Sequence, residues 1–303
     1  MPFTEANGIK LAYDVQGDPD GEPVLLIAGL GLQSISWPEA FCKGLTDQGF
    51  RVIRFDNRDC GRSSKMEHFG KPNLQAAFFK SLFHMPLFSG YTLYDMAKDG
   101  ICLLDALGIR KAHIVGASMG GMIAQIIAGR YPERVLSLTS IMSTSGRPGL
   151  PGPTMAASHA MFSRPQNPRD INSVIDHNVQ LFRVLGGSRY PVPEAELRRR
   201  VTESVRRGVC VSGTARQIMA VASSGDQVAL LRTVKVPTLV IHGTDDPLVP
   251  LACGRDVALL VRGADLKVIE GMGHDFPPAL DATLSGMIAA HCKASQEPEA
   301  RRA

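Results

Sequence analysis

A chain of 303 residues with 44% hydrophobic and 20% charged residues is long enough to bury a large core and has the composition of an ordinary soluble globular protein. Its net charge of +4 is mild and no aromatic residues interleave with basic ones, so nothing points to nucleic acid, and no apolar run approaches the ~20 residues a membrane-spanning helix needs. The six cysteines, at 42, 60, 102, 210, 253 and 292, form no C-x-x-C pair, which argues against zinc and against a disulfide framework and fits a reducing cytoplasm. Residues 1–5 show no basic region followed by an apolar stretch, so no signal peptide is expected and the expected location is cytoplasmic.

Residues 3–6 and 9–15 are strand-like, with Asn7-Gly8 between them as a hairpin turn signal. Residues 17–23 have loop composition. Residues 24–27 are continuously apolar, as in a central strand covered on both faces, and lead into Ala28-Gly29-Leu30-Gly31. A helix is expected around 37–46 and a strand at 51–55. That strand ends in the polar loop Asp56-Asn57-Arg58-Asp59-Cys60-Gly61-Arg62-Ser63. Residues 65–91 are irregular and hold Phe69, Phe78, Phe79, Phe83 and Phe88. They read either as a surface helix docked by its apolar face or as part of an apolar substrate wall. The spacing of apolar residues predicts a helix over 93–107, stopped by Gly108.

An apolar run (Ala112, Ile114, Val115) follows, then Gly116-Ala117-Ser118-Met119-Gly120, then a helix to Arg130 and a strand at 135–142. From 143 to 227 the texture changes. Pro148, Pro151, Pro153, Pro165, Pro168, Pro191 and Pro193 punctuate helix-like pieces at 171–185 and 195–205, and nothing resembles a central strand. The segment reads as a helical cap inserted into a core formed by 1–142 and 228–293. Its basic stretch, Arg198, Arg199, Arg200, Arg206 and Arg207, reads as a solvated helix face. Its Met155, Met161, Phe162, Leu181, Phe182 and Leu185 are expected to form the cap's own core, or, where they face the site, to select an apolar, medium-sized substrate. A strand at 236–241, a helix at 251–261, a strand at 266–269 and a helix at 280–292 complete the pattern, and 294–303 reads as a flexible tail.

Alternating strands and helices imply an α/β fold with a mostly parallel sheet covered on both faces, and such sheets carry their chemistry at the carboxyl ends of strands. Three loops in that position hold the parts of a serine nucleophile system. G-x-S-x-G between a strand and a helix is the setting of a nucleophile elbow, with Ser118 at its apex. His242-Gly243-Thr244-Asp245-Asp246-Pro247 follows one strand, and Glu270-Gly271-Met272-Gly273-His274-Asp275 follows another. Acyl transfer by serine needs a base for its proton and a third group to orient that base, and serine, carboxylate and histidine occur here in that order.

From residue 3 to residue 292 the chain resembles the α/β-hydrolase superfamily. The resemblance assigns the nucleophile to Ser118 and, through I-H-G-x-x-D-x-x-x-P at 241–250, the acid to Asp246, with Asp245 as the alternative. The base is His274, in G-x-G-H. Ser143-Thr144-Ser145-Gly146, after the strand that follows the elbow helix, offers no carboxylate in the other place where some members keep their acid. The family's D-x-R-G-x-G-x-S appears with Asp59 in place of the middle glycine. With Trp37-Pro38, that variant is similar to the branch of esterases containing aclacinomycin methylesterase. Arg58 and Asp59 are expected to form a structural ion pair bracing their loop.

The resemblance implies an oxyanion hole made by the backbone N–H groups of Leu30 and Met119, with Ala28 where the family often has histidine. It implies ester hydrolysis through an acyl-enzyme on a small-molecule ester, with no metal or organic cofactor. Serine at the elbow argues against dehalogenase or epoxide-hydrolase chemistry, where the family uses aspartate. Perhydrolase or haloperoxidase-like, lactonase and carbon–carbon bond hydrolase reactions use the same triad, and a purely ligand-binding role is disfavoured by its completeness. A monomer or a homodimer fits the sequence equally.

Overall fold

The computed structural model describes residues 1–82 and 85–295. Eight strands form one sheet: β1 (Phe3–Ala6), β2 (Ile9–Gln16), β3 (Glu22–Ile27), β4 (Phe50–Phe55), β5 (Ala112–Ala117), β6 (Val135–Ile141), β7 (Thr238–Gly243) and β8 (Asp265–Ile269). Their order is β1-β2-β4-β3-β5-β6-β7-β8. The β1–β2 and β2–β4 pairs are antiparallel, and every later pair is parallel. All six residues of β5 and of β7 are buried, which is why these segments read as mostly apolar or small-residue runs, each with one histidine (His113, His242), rather than alternating ones. β8, at the edge, is largely exposed.

Eleven helices accompany these strands among the described residues: α1 (Glu39–Thr46), α2 (Leu74–Leu82), α3 (Leu93–Ala106), α4 (Met119–Arg130), α5 (Met155–Phe162), α6 (Ile171–Leu185), α7 (Glu194–Arg207), α8 (Val211–Ser223), α9 (Val228–Leu231), α10 (Leu251–Leu260) and α11 (Asp281–Ala294). Two apolar clusters sandwich the sheet. One holds residues of α3, α4, α9 and α10 against Leu25, Ile27 and Ile114. The other holds Phe41 and Leu45 of α1 and Leu284 and Ile288 of α11 against Leu26, Val115 and Ile241. The sequence starts and stops these helices locally. Thr92 and Asp95 close a capping box on α3, and Gly108, at φ +68, follows its end.

Residues 143–227 carry α5 to α8 and no strand. Ile175, Val179 and Val201 form a small core between α6 and α7, with Phe182 packed on it. Of the six apolar residues expected to line a core or a pocket there, Leu185 is buried but Met155 and Phe162 face outward, since Ala157 is the buried residue of α5.

In the phenylalanine-rich stretch, α2 forms the surface helix that was one of the two expectations. Phe79 and Phe88 are exposed, and α2 meets α8 without burying an apolar face that includes Phe79. The side chain of Phe78, the whole of Phe83 and the tail from Gln296 lie outside the described residues. Among those described, no helix is long and apolar enough to cross a membrane.

Candidate active site

Ser118 sits between β5 and α4 at φ +56, a left-handed conformation that an L-residue adopts only when its surroundings impose it. Those surroundings are backbone. A Cβ on Gly116 would lie 2.0 Å from the Gly120 carbonyl oxygen, and one on Gly120 would lie 2.0 Å from that of Ile27. The two glycines of the motif therefore let the turn close against β3. Ser118 N–H donates to the Ile141 carbonyl at 2.9 Å, and the Ser143 hydroxyl donates to the Ser118 carbonyl at 2.8 Å. The elbow is thereby tied to the end of β6.

The loop after β8 brings His274 to this serine. Its Nε2 is 2.9 Å from Ser118 Oγ and its Nδ1 is 2.7 Å from Asp246 Oδ2. A carboxylate only accepts, so Nδ1 carries the proton and Nε2 is left to accept from the serine hydroxyl. The backbone of the same loop is held by the inserted segment: His274 N–H donates to the Leu185 carbonyl at 2.7 Å. Close approach requires glycine on both sides, since a Cβ on Gly273 would lie 2.3 Å from Gly187 N.

Asp246 is buried after β7. Its Oδ1 accepts from the N–H groups of Leu248 and Val249 at 2.9 and 2.8 Å. Burial by itself would raise this carboxyl, but the His274 imidazole, hydrogen bonds from His242 and His274 and the Val249 N–H outweigh it and hold the group well below the usual carboxylate range. Asp245, the alternative acid, turns away: its carboxylate takes the Thr244 hydroxyl at 2.8 Å and the hydroxyl and N–H of Ser188.

Leu30 lies in a turn packed against the elbow. A Cβ on Gly29 would meet Ser118 Cβ at 3.3 Å. Leu32 N–H closes the turn on the Gly29 carbonyl at 3.2 Å, with Gly31 at φ +66, as a type II turn requires at its third residue. Met119 is the first residue of α4, where a helix has N–H groups to spare. The Leu30 turn and the start of α4 thus flank Ser118.

Comparison with known proteins decides the lineage of this arrangement. The alpha/beta hydrolase fold family matches residues 22–277. The chain belongs to that family. It is 31% identical over 296 residues to the rhodomycin D methylesterase DauP of Streptomyces sp. strain C5, covering 92% of this chain and 93% of that one. It is 28% identical over 290 residues to a non-heme haloperoxidase of Rhodococcus erythropolis, covering 90% and 93%. Among solved structures, the meta-cleavage product hydrolase of Pseudomonas fluorescens IP01 superposes with a TM-score of 0.76 at 23% identity, over 98% of both chains, a likeness of fold.

Within this alpha/beta hydrolase, Arg58 and Asp59 do not pair with each other. Arg58 binds Asp99 through Nε and Nη2 at 2.7 and 2.6 Å, and Asp59 binds Arg216 of α8 at 2.8 and 2.6 Å. The loop is braced as expected but by two separate pairs, whose partners lie 41 and 157 residues away in sequence. Nor is the arginine stretch a wholly solvated face. Arg207 reaches the fully buried Asp56 at 2.7 Å, and Arg200 donates to the Phe276 carbonyl at 2.9 Å, while Arg198 and Arg199 pair on the surface with Asp176, Glu196 and Glu203.

Sequence reasoning also passed over His242. It is fully buried, its Nε2 lies 2.7 Å from the Val249 carbonyl oxygen and 3.4 Å from Asp246 Oδ2, and its Nδ1 has no partner. Its place directly before the acid loop was the available signal. Asp275, next to the histidine, has an unpartnered Oδ1, and burial pushes its carboxyl up to about 7.

Proposed function

We propose that this chain is a serine carboxylic ester hydrolase in which Ser118 is the nucleophile, His274 the general base and acid, and Asp246 the group that orients the imidazole. The observation that carries the reading is the continuous hydrogen-bonded line from Ser118 Oγ through His274 to Asp246, on a serine held at positive φ. His274 Nε2 takes the hydroxyl proton as Oγ attacks the ester carbonyl. Asp246 stabilises the imidazolium across the Nδ1 bond, and the N–H groups of Leu30 and Met119 stabilise the oxyanion. The imidazolium then protonates the leaving alcohol, and water, activated by the same imidazole, cleaves the acyl-enzyme.

The substrate is a small-molecule ester. A methyl ester is the first class to examine, because the relative at 31% identity is named for one. Leu30 and Leu32, half-buried on the turn against Ser118, support an apolar acyl or alcohol group of small to medium size. In this reading residues 143–227 act as a cap on the core formed by 1–142 and 228–293.

Turnover of p-nitrophenyl and methyl esters of increasing acyl length tests the reading. Wild type should hydrolyse a subset of them, and Ser118→Ala should lose on the order of 10⁴-fold or more in kcat. Equal rates for the two proteins would reject the nucleophile and leave a ligand-binding role. Ser118-Met119-Gly120-Gly121 and the haloperoxidase relative favour a second reaction at the same site, attack of hydrogen peroxide in place of water on the acyl-enzyme. Bromination of a dye in the presence of bromide, acetate and peroxide, the peracid formed oxidising the bromide, and its absence in Ser118→Ala, would reveal it.

A further inference from the structure

The turn that carries Leu30 is gripped from the inserted segment by one side chain. Gln217, on α8, is completely buried. Its Oε1 accepts from the Gly31 N–H at 2.8 Å and its Nε2 donates to the Arg58 carbonyl at 2.7 Å. Both polar ends of the carboxamide are thus used, one on the Leu30 turn and one on the loop after β4. Thr214, one helical turn earlier, packs on the same spot: a Cβ on Gly31 would lie 3.0 Å from its hydroxyl oxygen. Gln33, three residues after Leu30, is held from the same direction, donating to the carbonyls of Ser204 and Gly208 at 2.8 and 3.0 Å.

The neighbour of Gln217 explains Asp59, the residue that departs from the family's glycine. Asp59 stands at φ +67, where glycine would be unstrained. Its carboxylate takes Nε and Nη2 of Arg216 and also the Met66 N–H and the Tyr91 hydroxyl, each at 2.8 Å. Arg216 completes its set with the Gly70 carbonyl at 2.8 Å. The pair is buried, bidentate and fully hydrogen-bonded, the conditions under which an ion pair fixes geometry. It locks the one turn of α8 from which Gln217 extends.

We propose that Gln217 is a positioning residue for the oxyanion hole: by fixing the Leu30–Gly31 peptide it holds the Leu30 N–H toward Ser118, and the Asp59–Arg216 pair sets the helix from which it acts. This rests on the reading of Ser118 as nucleophile and Leu30 as oxyanion donor. The physical reason lies in the turn. The Leu30–Gly31 peptide is its central unit, the one that rotates when turn types interconvert; its orientation sets ψ of Leu30, and holding it fixes the turn type of the loop whose preceding peptide carries the Leu30 N–H. Among the described residues Gln217 is the polar tether of that peptide, and a donor that wanders from the developing oxyanion stabilises the transition state less.

Gln217→Met keeps the volume and removes both hydrogen bonds. Gln217→Asn keeps the carboxamide but stops one methylene short of bridging both partners. The readouts are kcat and KM on the best p-nitrophenyl ester and the inhibition constant of phenylboronic acid, whose tetrahedral adduct on serine places an oxygen where the oxyanion forms. Each variant should lose about 10-fold or more in kcat, short of the ~10²–10³ for deleting a donor outright, and weaken boronate inhibition by a similar factor. KM should move by less than about threefold.

A folded variant with unchanged kcat and unchanged boronate inhibition overturns the proposal, as does a change confined to KM or to the unfolding temperature. If Gln217→Met does not fold, Gln217→Asn decides on the same readouts. Ser118→Ala, run in parallel, separates the two levels. Full activity and boronate inhibition there reject the nucleophile itself, whereas their loss there with unchanged Gln217 variants rejects only the positioning role.

Discussion

Two adjacent aspartates, 245 and 246, have the same chemistry and different partners, and this gives the sharpest expectations at the residue scale. Asp246 meets the imidazole and Asp245 meets Ser188 and Thr244. Asp246→Asn should lower kcat by roughly 10⁴-fold, because an amide cannot hold the Nδ1–H tautomer as a carboxylate does. Asp245→Asn should leave kcat nearly unchanged. The reverse ranking in a kinetic comparison would reassign the acid. His242 should matter for a different reason. Its Nε2–H is the partner of the half-buried Val249 carbonyl, so His242→Leu removes that bond and should cost about 1 kcal/mol in urea unfolding. Unaltered stability would show that the bond is replaced without loss. The three site side chains were legible in the sequence because Ser118 directly follows β5 and Asp246 and His274 lie in the short loops that leave β7 and β8, and a strand end fixes roughly where the next residues lie. Gln217 was not legible: it is 186 residues from Gly31, in a helix with no motif.

At the scale of elements, α8 is joined to the loop after β4 by the buried Arg216–Asp59 pair. Removing one member leaves the other charge buried and alone. Asp59→Gly and Arg216→Met should each destabilise by about 3–5 kcal/mol, although the first also relieves the positive φ. The double variant should recover part of that loss, since it leaves no stranded charge. A double variant as unstable as the sum of the two singles, measured by denaturant unfolding, would mean that the pair is not the coupling. The expectation that Arg58 and Asp59 pair with each other failed because sequence adjacency says nothing about which way two side chains leave a loop, and here each reaches a different helix. Strands β3, β5 and β7 were readable because burial on both faces favours apolar residues in succession, as at 24–27, 114–115 and 239–241. Helices α5 and α8 were not read. α5 exposes Met155 and Phe162, so its sequence carries no period that marks a buried face, and α8 mixes small and polar residues that acquire meaning only through contacts far along the chain.

At the scale of the whole molecule, pH should act through buried acids. The Asp275 carboxyl is pushed up to about 7 by burial, from an ordinary value of 3.8. The folded state therefore holds a proton that the unfolded chain has released, so this contribution to stability is fully present below about 3.8 and is lost as pH rises through about 7. Asp281, raised to about 6 by burial, acts in the same direction. Wild type should thus lose thermal stability between pH 5 and pH 8. Asp275→Asn should reduce that loss and leave the part due to Asp281. Parallel curves for the two proteins would contradict the assignment. The sheet, the two apolar layers and the inserted helices serve one geometry, a serine hydroxyl and an imidazole at bonding distance on the rim of the sheet. Intact-mass spectrometry after treatment with a fluorophosphonate addresses that geometry most directly. The whole chain should gain one phosphonyl group, mapped to Ser118 by peptide digestion, with no gain in Ser118→Ala and a much slower gain in a His274→Ala variant. An unmodified wild-type chain, or equal labelling of the Ser118→Ala protein, would contradict it.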